Sequence, residues 1–196
     1  MERIKVDNKS LWKIIDERYE ECVANKTYSI NVGDLDTSEV TNMASLFSGF
    51  LYLKKIEGLE TWDTSQVTKM SCMFNDCKNL EKLIVKNFDT SKVTDMSFMF
   101  NGCWNLKELD LSSFDLSRVD EVDWMISSCY KLEEIKGIKK VLISEAYRKL
   151  KEYEQKEVFK NTKIDLEKEL KKLNKKEIIF LTYIITCSLN KKSPAI

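Results

Sequence analysis

The chain has 196 residues, of which 43% are hydrophobic and 33% are charged, and its formal net charge is zero. This composition is too apolar for a disordered chain and too interrupted by charge for a membrane-spanning one, so it predicts a soluble folded protein. Histidine is absent, which excludes histidine-activated nucleophiles, histidine bases and histidine metal ligands. Acidic residues exceed basic ones up to Val141, and basic residues predominate after it.

Residues 1–35 predict a helix followed by a strand. Ser10 is a candidate N-cap for apolar residues at helical spacing, and residues 28–32 have strand character. We expect this segment to cap the first core face of a repeat domain. The first residues include no apolar leader, and the longest apolar run, residues 178–189, falls short of the roughly 20 residues that span a bilayer. The predicted location is therefore cytoplasmic.

Residues 36–141 contain four copies of one unit. The units begin at Asp36, Asp63, Asp89 and Asp115, with spacings of 27, 26 and 26 residues. In each, apolar residues follow the Asp at offsets of four, seven, ten, eleven and fourteen, which predicts one apolar stripe on a short helix. The Asp-Thr-Ser triplet that opens the first three units is a suitable N-terminal cap, and Leu-x-x-Leu-x-Leu spacing then predicts a strand.

These units predict an α/β repeat, namely a short leucine-rich-repeat-like solenoid of four helix-strand units with a parallel sheet. Residues 1–35 would form its N-terminal helix-strand cap, and residues 142–196 a C-terminal helical cap. Helices are expected near 144–160, 164–173 and 175–190. The last of these is apolar nearly all round, so it either covers the end of the solenoid or forms a dimer interface.

The motif Asp-Thr-Ser-x-Val-Thr-x-Met-x-x-Met-Phe, followed by Leu-x-x-Leu, resembles the leucine-rich repeat of BspA-like, lipoprotein-associated bacterial surface proteins. The resemblance covers about 106 of the 196 residues. It implies a binding scaffold, because relatives display such repeats on the cell surface to bind host or matrix proteins. This chain differs in having four units, no export signal and a helical C-terminal segment.

Six cysteines are present, and Cys77, Cys103 and Cys129 share one position of the unit. No Cys-x-x-Cys pair occurs, and thiols stay reduced inside the cell, so we predict free cysteines that fill a core. A metal or redox ladder is the alternative. No metal, cofactor or catalytic residue is assigned.

Four aromatic residues are predicted to bind a partner. Phe98 and Trp124 occupy the ninth position after the Asp, opposite the apolar stripe, and Trp104 and Tyr130 occupy the fifteenth, just past the helix. Exposed aromatic residues are enriched at protein interfaces. Coverage of the first pair by the C-terminal helices is the alternative.

Six acidic residues are predicted to form a rim that attracts a basic partner. Three lie at outward positions of predicted strands, and three lie early in the fourth unit; they are Glu108, Asp110 and Glu134, and Asp120, Glu121 and Asp123. A merely solvated surface is the alternative.

The leading hypothesis is a non-enzymatic protein-binding module in the bacterial cytosol. By analogy of size and setting, it could be a phage or mobile-element inhibitor of bacterial immunity, such as an anti-CRISPR protein that occupies an RNA-guided ribonuclease. The alternatives are a fragment of a surface adhesin and a nucleic-acid-binding protein that uses its Lys-rich C-terminal helices. A membrane partner is not expected, and monomer or dimer stays open.

Overall fold

The computed structural model describes residues 2–137. The regular elements are β1 (Ile4–Lys5), α1 (Asn8–Ala24), β2 (Ser29–Asn31), β3 (Leu35–Asp36), β4 (Lys55–Glu57), a 3-10 turn (Leu59–Thr61), β5 (Glu108–Asp110) and β6 (Glu134–Lys136). Three parallel pairs form: β1 with β3, β2 with β4, and β5 with β6. In unit 2 a single bridge, Lys55 to Lys82, replaces a strand pair.

The predicted N-terminal helix and strand are present as α1 and β2, with one correction at the cap. Asp7 is the N-cap, and its carboxylate accepts the backbone N–H of Ser10 at 2.7 Å, while the Ser10 hydroxyl oxygen accepts the Asp7 N–H at 2.9 Å. This reciprocal box satisfies two amide groups that the helix cannot pair internally. On the inner face of α1, Tyr19 stacks on Phe50 of unit 1 with ring centroids 3.9 Å apart.

The predicted fold class is wrong, because the four units contain no helix of the predicted kind. Among residues 2–137, α1 is the one α-helix, and the segments predicted as helices in the units are successions of turns. In unit 1 these turns are closed by bonds from Leu46 N–H to Met43 O and from Ser48 N–H to Ser45 O, at 3.3 and 2.9 Å. A four-unit helix-strand solenoid is therefore not the architecture of this protein.

The reason lies in left-handed residues that interrupt a helical hydrogen-bond ladder. Ser45 has φ of 60° and Gly49 has φ of 76°, and the ninth and thirteenth residues of the other units are left-handed too. Left-handed residues turn alternate backbone N–H groups away from their own unit. Ser45 N–H donates to Ser71 O and Gly49 N–H to Asn75 O of the next unit, both at 2.8 Å. Units 2 and 3 donate to their successors in the same way, so the four units stack through their backbones.

The stack buries the positions that recur between units. The predicted core residues of unit 3 are each at most 2% exposed; they are Val93, Met96, Phe100, Cys103, Leu106 and Leu109. Phe47, Phe74 and Phe100 form a continuous row, with centroid distances of 5.3 and 5.7 Å and planes 4° apart. The apolar positions identified from the spacing are thus buried in one core shared between neighbouring units.

The Asp-Thr-Ser triplets join units instead of capping helices. Each Asp carboxylate accepts the N–H of the Ser two residues later, which makes a local turn. The Thr64 hydroxyl donates to Asp89 O at 3.0 Å and accepts the Asp89 N–H at 2.8 Å. Thr90 makes the same pair of bonds to Asp115, so a buried hydroxyl links each unit to the next.

The fourth unit departs from this arrangement. It carries Leu116 where the others have threonine, and this side chain is 7% exposed. A leucine cannot hydrogen-bond a following unit, and no further Asp-Thr-Ser triplet occurs after Ser117 in the sequence. The three helices predicted beyond residue 142 lie outside the described residues, and the predicted domain boundaries stay predictions.

We predict that Thr64→Val lowers the free energy of unfolding by about 1–3 kcal/mol, because it removes the buried hydroxyl that bonds both the N–H and the carbonyl of Asp89. Urea denaturation measures the change. The matched control is Thr68→Val, since the Thr68 hydroxyl also bonds a neighbouring unit, at Thr41 O, but in an exposed position where water replaces the bond. Its effect should stay within about 0.5 kcal/mol. Equal effects at the two positions would contradict the linking role of Thr64.

Candidate partner-binding surface

Phe98 and Trp124 lie on the outer side of the turns in units 3 and 4, where they are 38% and 37% exposed. Both are therefore surface residues, although the surrounding segment is not a helix. Both have left-handed backbones, with φ of 57° and 59°. The equivalent residues of units 1 and 2, Ser45 and Cys72, share this conformation.

A left-handed conformation is costly for a bulky residue, at roughly 1–2 kcal/mol relative to the ordinary regions. The other left-handed position of each unit holds small or polar residues, namely Gly49, Asp76, Gly102 and Ser128. Folding alone would favour similar residues at the ninth position. Two strained aromatic residues that leave more than a third of their surface in solvent therefore point to a contact function.

A second aromatic row follows the fifteenth position along one edge of the stack. Trp104 is 42% exposed and Tyr130 is 76% exposed, with ring centroids 6.0 Å apart and a tilt of 48°. The Lys78 ammonium lies 4.5 Å from the centre of the Trp104 ring. Among residues 2–137, the structure brings Trp104 and Tyr130 together but shows no ring contact between them and Phe98 or Trp124.

The sequence did not predict the contact of Lys78 with Trp104. The contact could have been found from the sequence, because Lys78 and Trp104 both occupy the fifteenth position of consecutive units. Stacking places such residues next to each other, and an ammonium over an indole ring is attracted by the ring's electrons.

The predicted acids of unit 4 lie beside the ninth-position row. Asp120 and Glu121 are exposed, and Asp123 is half-buried. The Phe98 N–H donates to the Asp123 carbonyl at 2.8 Å, and Trp124 follows Asp123 in the chain. The structure thus places Phe98 and Trp124 on two sides of Asp123.

The strand acids Glu108 and Asp110 lie on another part of the surface. Glu108 is exposed and Asp110 half-buried, and the backbone of Glu108 pairs with that of Glu134 in the β5–β6 register. The Asp110 carboxylate accepts the hydroxyl and N–H of Ser112 at 2.6 and 3.0 Å, and these bonds lower the pKa of Asp110. Asp110 therefore stabilises a turn as well as facing solvent.

Two concavities were not predicted. One, of about 290 Å³, lies between the C-terminal half of α1 and β2 and is lined by Arg18, Glu21, Cys22, Asn25 and Ile30, among others. The other, of about 250 Å³, is a groove on the strand side lined by Lys55, Ile56, Glu57, Glu60, Lys82 and Ile84. Arg18 is held by Asp34 through two bonds of 2.7 and 2.8 Å, so its guanidinium is already paired.

The cysteines at the fourteenth position are free thiols inside the stack. Cys77 donates to Phe47 O at 3.0 Å and Cys103 to Phe74 O at 3.2 Å. Burial raises the pKa of Cys77 to about 12 and that of Cys129 to about 11, and it raises the pKa of Cys103 as well. These thiols therefore stay protonated at neutral pH, which is unfavourable for nucleophilic attack or metal binding.

Within residues 2–137, no cluster of three or more Cys, Asp or Glu residues is arranged to hold a metal ion. No helix in that same part of the chain has the length and apolar character needed to cross a membrane.

Comparison with known proteins gives one family. A family model described as Mycoplasma protein of unknown function, DUF285, matches residues 17–134 and, in a second alignment, residues 50–161. Overlapping alignments of one model are expected for a chain of tandem units, because the register can shift by a whole unit. No curated protein and no solved structure gives a significant match.

The left-handed ninth position predicts an unusual order of stability between two variants. Trp124→Gly should be about 1 kcal/mol more stable than Trp124→Ala, because glycine adopts positive φ without a steric cost. Chemical denaturation of both variants measures the difference. At Trp104, which is not left-handed, alanine should be the more stable replacement. A helical ninth position would instead favour alanine at both sites.

The buried thiols predict a loss of stability at alkaline pH. Because the folded pKa of Cys77 and Cys129 lies above the usual value of about 9, unfolding releases protons above that pH. The contribution of these two buried thiols to the free energy of unfolding is complete below about pH 9, and it declines as the pH rises towards about 11. Urea unfolding at both limits should show a smaller decline for the double variant Cys77→Ala, Cys129→Ala than for wild type. An identical decline would contradict the effect.

Proposed function

Since the chain belongs to the DUF285 family of Mycoplasma proteins of unknown function, we propose that it is a non-enzymatic repeat module that binds another protein. The observation that carries the proposal is the pair Phe98 and Trp124, aromatic residues held at left-handed, solvent-exposed positions of consecutive units. Trp104 and Tyr130 add a second exposed row on the same stack. Aromatic anchors of this kind supply much of the binding energy at protein interfaces.

A role without catalysis is supported by the side chains at hand. The sequence has no histidine, and the fourteenth-position thiols have raised pKa values. The stack also presents its aromatic residues on an outer surface, whereas small-molecule catalysis generally uses a concave site with converging polar groups. The residues therefore fit an interface better than an active site.

Three narrower hypotheses, namely an adhesin fragment, a ribonuclease inhibitor and a nucleic-acid-binding protein, need evidence in addition to the family match. The resemblance to BspA-like surface repeats favours an adhesin fragment, and a leader or anchor encoded by the complete gene would support that alternative. Inhibition of an RNA-guided ribonuclease in the cytosol rests on size and setting alone. Nucleic-acid binding through the Lys-rich C-terminal segment would show as a steep dependence of affinity on salt.

Affinity capture tests the proposal. Immobilised full-length protein should retain a defined protein from a lysate of the source organism or of the tissue it meets, identified by mass spectrometry. Trp124→Gly should reduce the retained amount at least about tenfold, because an interface anchor contributes roughly 2 kcal/mol or more. The matched control is Trp12→Ala, since Trp12 is a similarly exposed tryptophan on α1.

Two outcomes would contradict the proposal. One is equal capture by wild type and the Trp124→Gly variant when circular dichroism shows both folded. The other is loss of capture in the Trp12→Ala control as well. The first would remove Trp124 from the interface, and the second would show that the loss of capture is not specific to the ninth-position row.

A further inference from the structure

Aromatic and acidic residues coincide in the last two units. At the sixth position of the unit the chain has Asn42 and Lys69 first, and then Asp95 and Glu121. The ninth position changes over the same boundary, from Ser45 and Cys72 to Phe98 and Trp124. Units 3 and 4 therefore differ from units 1 and 2 in two properties at once.

The backbone ladder brings these positions together. Asp95 and Glu121 pair as neighbours across the unit boundary, and Met96 N–H donates to Glu121 O at 2.8 Å. The next bond of the ladder, from Phe98 N–H to Asp123 O, joins the acidic and aromatic positions. These backbone bonds place Asp95, Phe98, Glu121, Asp123 and Trp124 in one patch along the stack. The Asp95 carboxylate at its edge also accepts the N–H and hydroxyl of Ser97 at 2.9 and 2.6 Å.

Electrostatics restrict what this patch can bind. No lysine or arginine occurs in the sequence between Arg118 and Lys131, while three acids fall in that interval. A polyanion such as nucleic acid or an acidic lipid surface would be repelled by it. A cationic group would be attracted by the carboxylates and by the electron-rich faces of the aromatic rings.

The protein already contains one example of this recognition. On the neighbouring aromatic row, the Lys78 ammonium lies 4.5 Å from the centre of the Trp104 ring. In that pair the cation comes from the preceding unit of the same chain. On the ninth-position row, Cys72 precedes Phe98 and Phe98 precedes Trp124, so that row holds no cation. The lysine nearest along the ladder is Lys69, whose backbone pairs with that of Asp95 at the unit 2 end of the patch.

We infer that the patch of units 3 and 4 binds an arginine-bearing segment of the partner protein, an inference that rests on the proposed function. A guanidinium group stacks flat on an aromatic ring while its edge donates paired hydrogen bonds to a carboxylate. The patch holds aromatic rings and carboxylates at neighbouring positions of the backbone ladder. A lysine ammonium has the charge but not the plane, so it binds the same surface more weakly.

A direct titration tests the inference. Three fluorescein-labelled peptides of equal length, alternating glycine with arginine, lysine or glutamate, are added to the full-length protein and followed by fluorescence anisotropy. The arginine peptide should bind at least about tenfold more tightly than the lysine peptide, and its affinity should fall as salt rises. The glutamate peptide should not bind.

Two variants separate the contribution of the aromatic ring from that of the carboxylates. Trp124→Gly should weaken the arginine peptide about tenfold or more with little change in its salt dependence. Glu121→Gln with Asp123→Asn should weaken it and also flatten the salt dependence. Trp12→Ala is the control and should bind as wild type does. Circular dichroism confirms that each variant is folded before it is compared.

Other outcomes overturn the inference. Equal binding of the arginine and lysine peptides would show attraction by charge alone. Tight binding of a synthetic copy of residues 144–160, with no binding of the arginine peptide, would identify that segment of the chain as the occupant. If no peptide binds but Trp124-dependent capture of a protein persists, the inference fails and the protein-binding function stands.

Discussion

The repeat domain depends on hydrogen bonds from the backbone amides of one unit to the carbonyls of the next. Left-handed residues at the ninth and thirteenth positions, such as Ser45 and Gly49, turn these N–H groups towards carbonyls of the next unit. Each bond fixes the register between units, which in turn aligns the phenylalanine row and the buried threonines. Unit 1 has one more residue than the others, and the structure absorbs it around Gly58, whose positive φ leads into the 3-10 turn. The spacing of the ladder is therefore kept despite the insertion.

The candidate interface is a direct product of this register. Residues at one position of the unit lie in rows, so a property that changes along a row becomes a surface that changes along the stack. The ninth-position row passes from Cys72 to Phe98, and the sixth from Lys69 to Asp95, at the same boundary. Half of the stack consequently has a different chemical surface from the other half, although the backbone beneath is the same. The strain at Phe98 and Trp124 is tolerated because the ladder bonds on either side hold the turns in place.

Burial was predictable from the sequence, and conformation was not. Offsets of four, seven, ten and eleven identify the inward residues whether they lie on a helix or in a series of turns, so Val93 and Phe100 were placed correctly. The helix prediction failed because it used periodicity without weighing the thirteenth position, where Gly, Asp, Gly and Ser indicate positive φ. The bulky residues at the ninth position concealed the second left-handed site. The hydrogen bonds of Thr64 depend on a residue 25 positions away, which no local pattern reveals.

Leu116 has a consequence for how such a protein can change in length. A gene duplication that copies a threonine-bearing unit would produce a chain whose new unit bonds to both neighbours, because each copy brings its own link to the unit that follows. A unit added after the fourth would instead meet an apolar side chain where it needs a hydroxyl acceptor and donor. A unit added after the fourth would therefore lose the threonine link, although the left-handed Trp124 and Ser128 keep the backbone geometry of the ladder. In evolutionary terms, duplication of an interior unit keeps every link, whereas a unit added after the fourth starts with one link fewer.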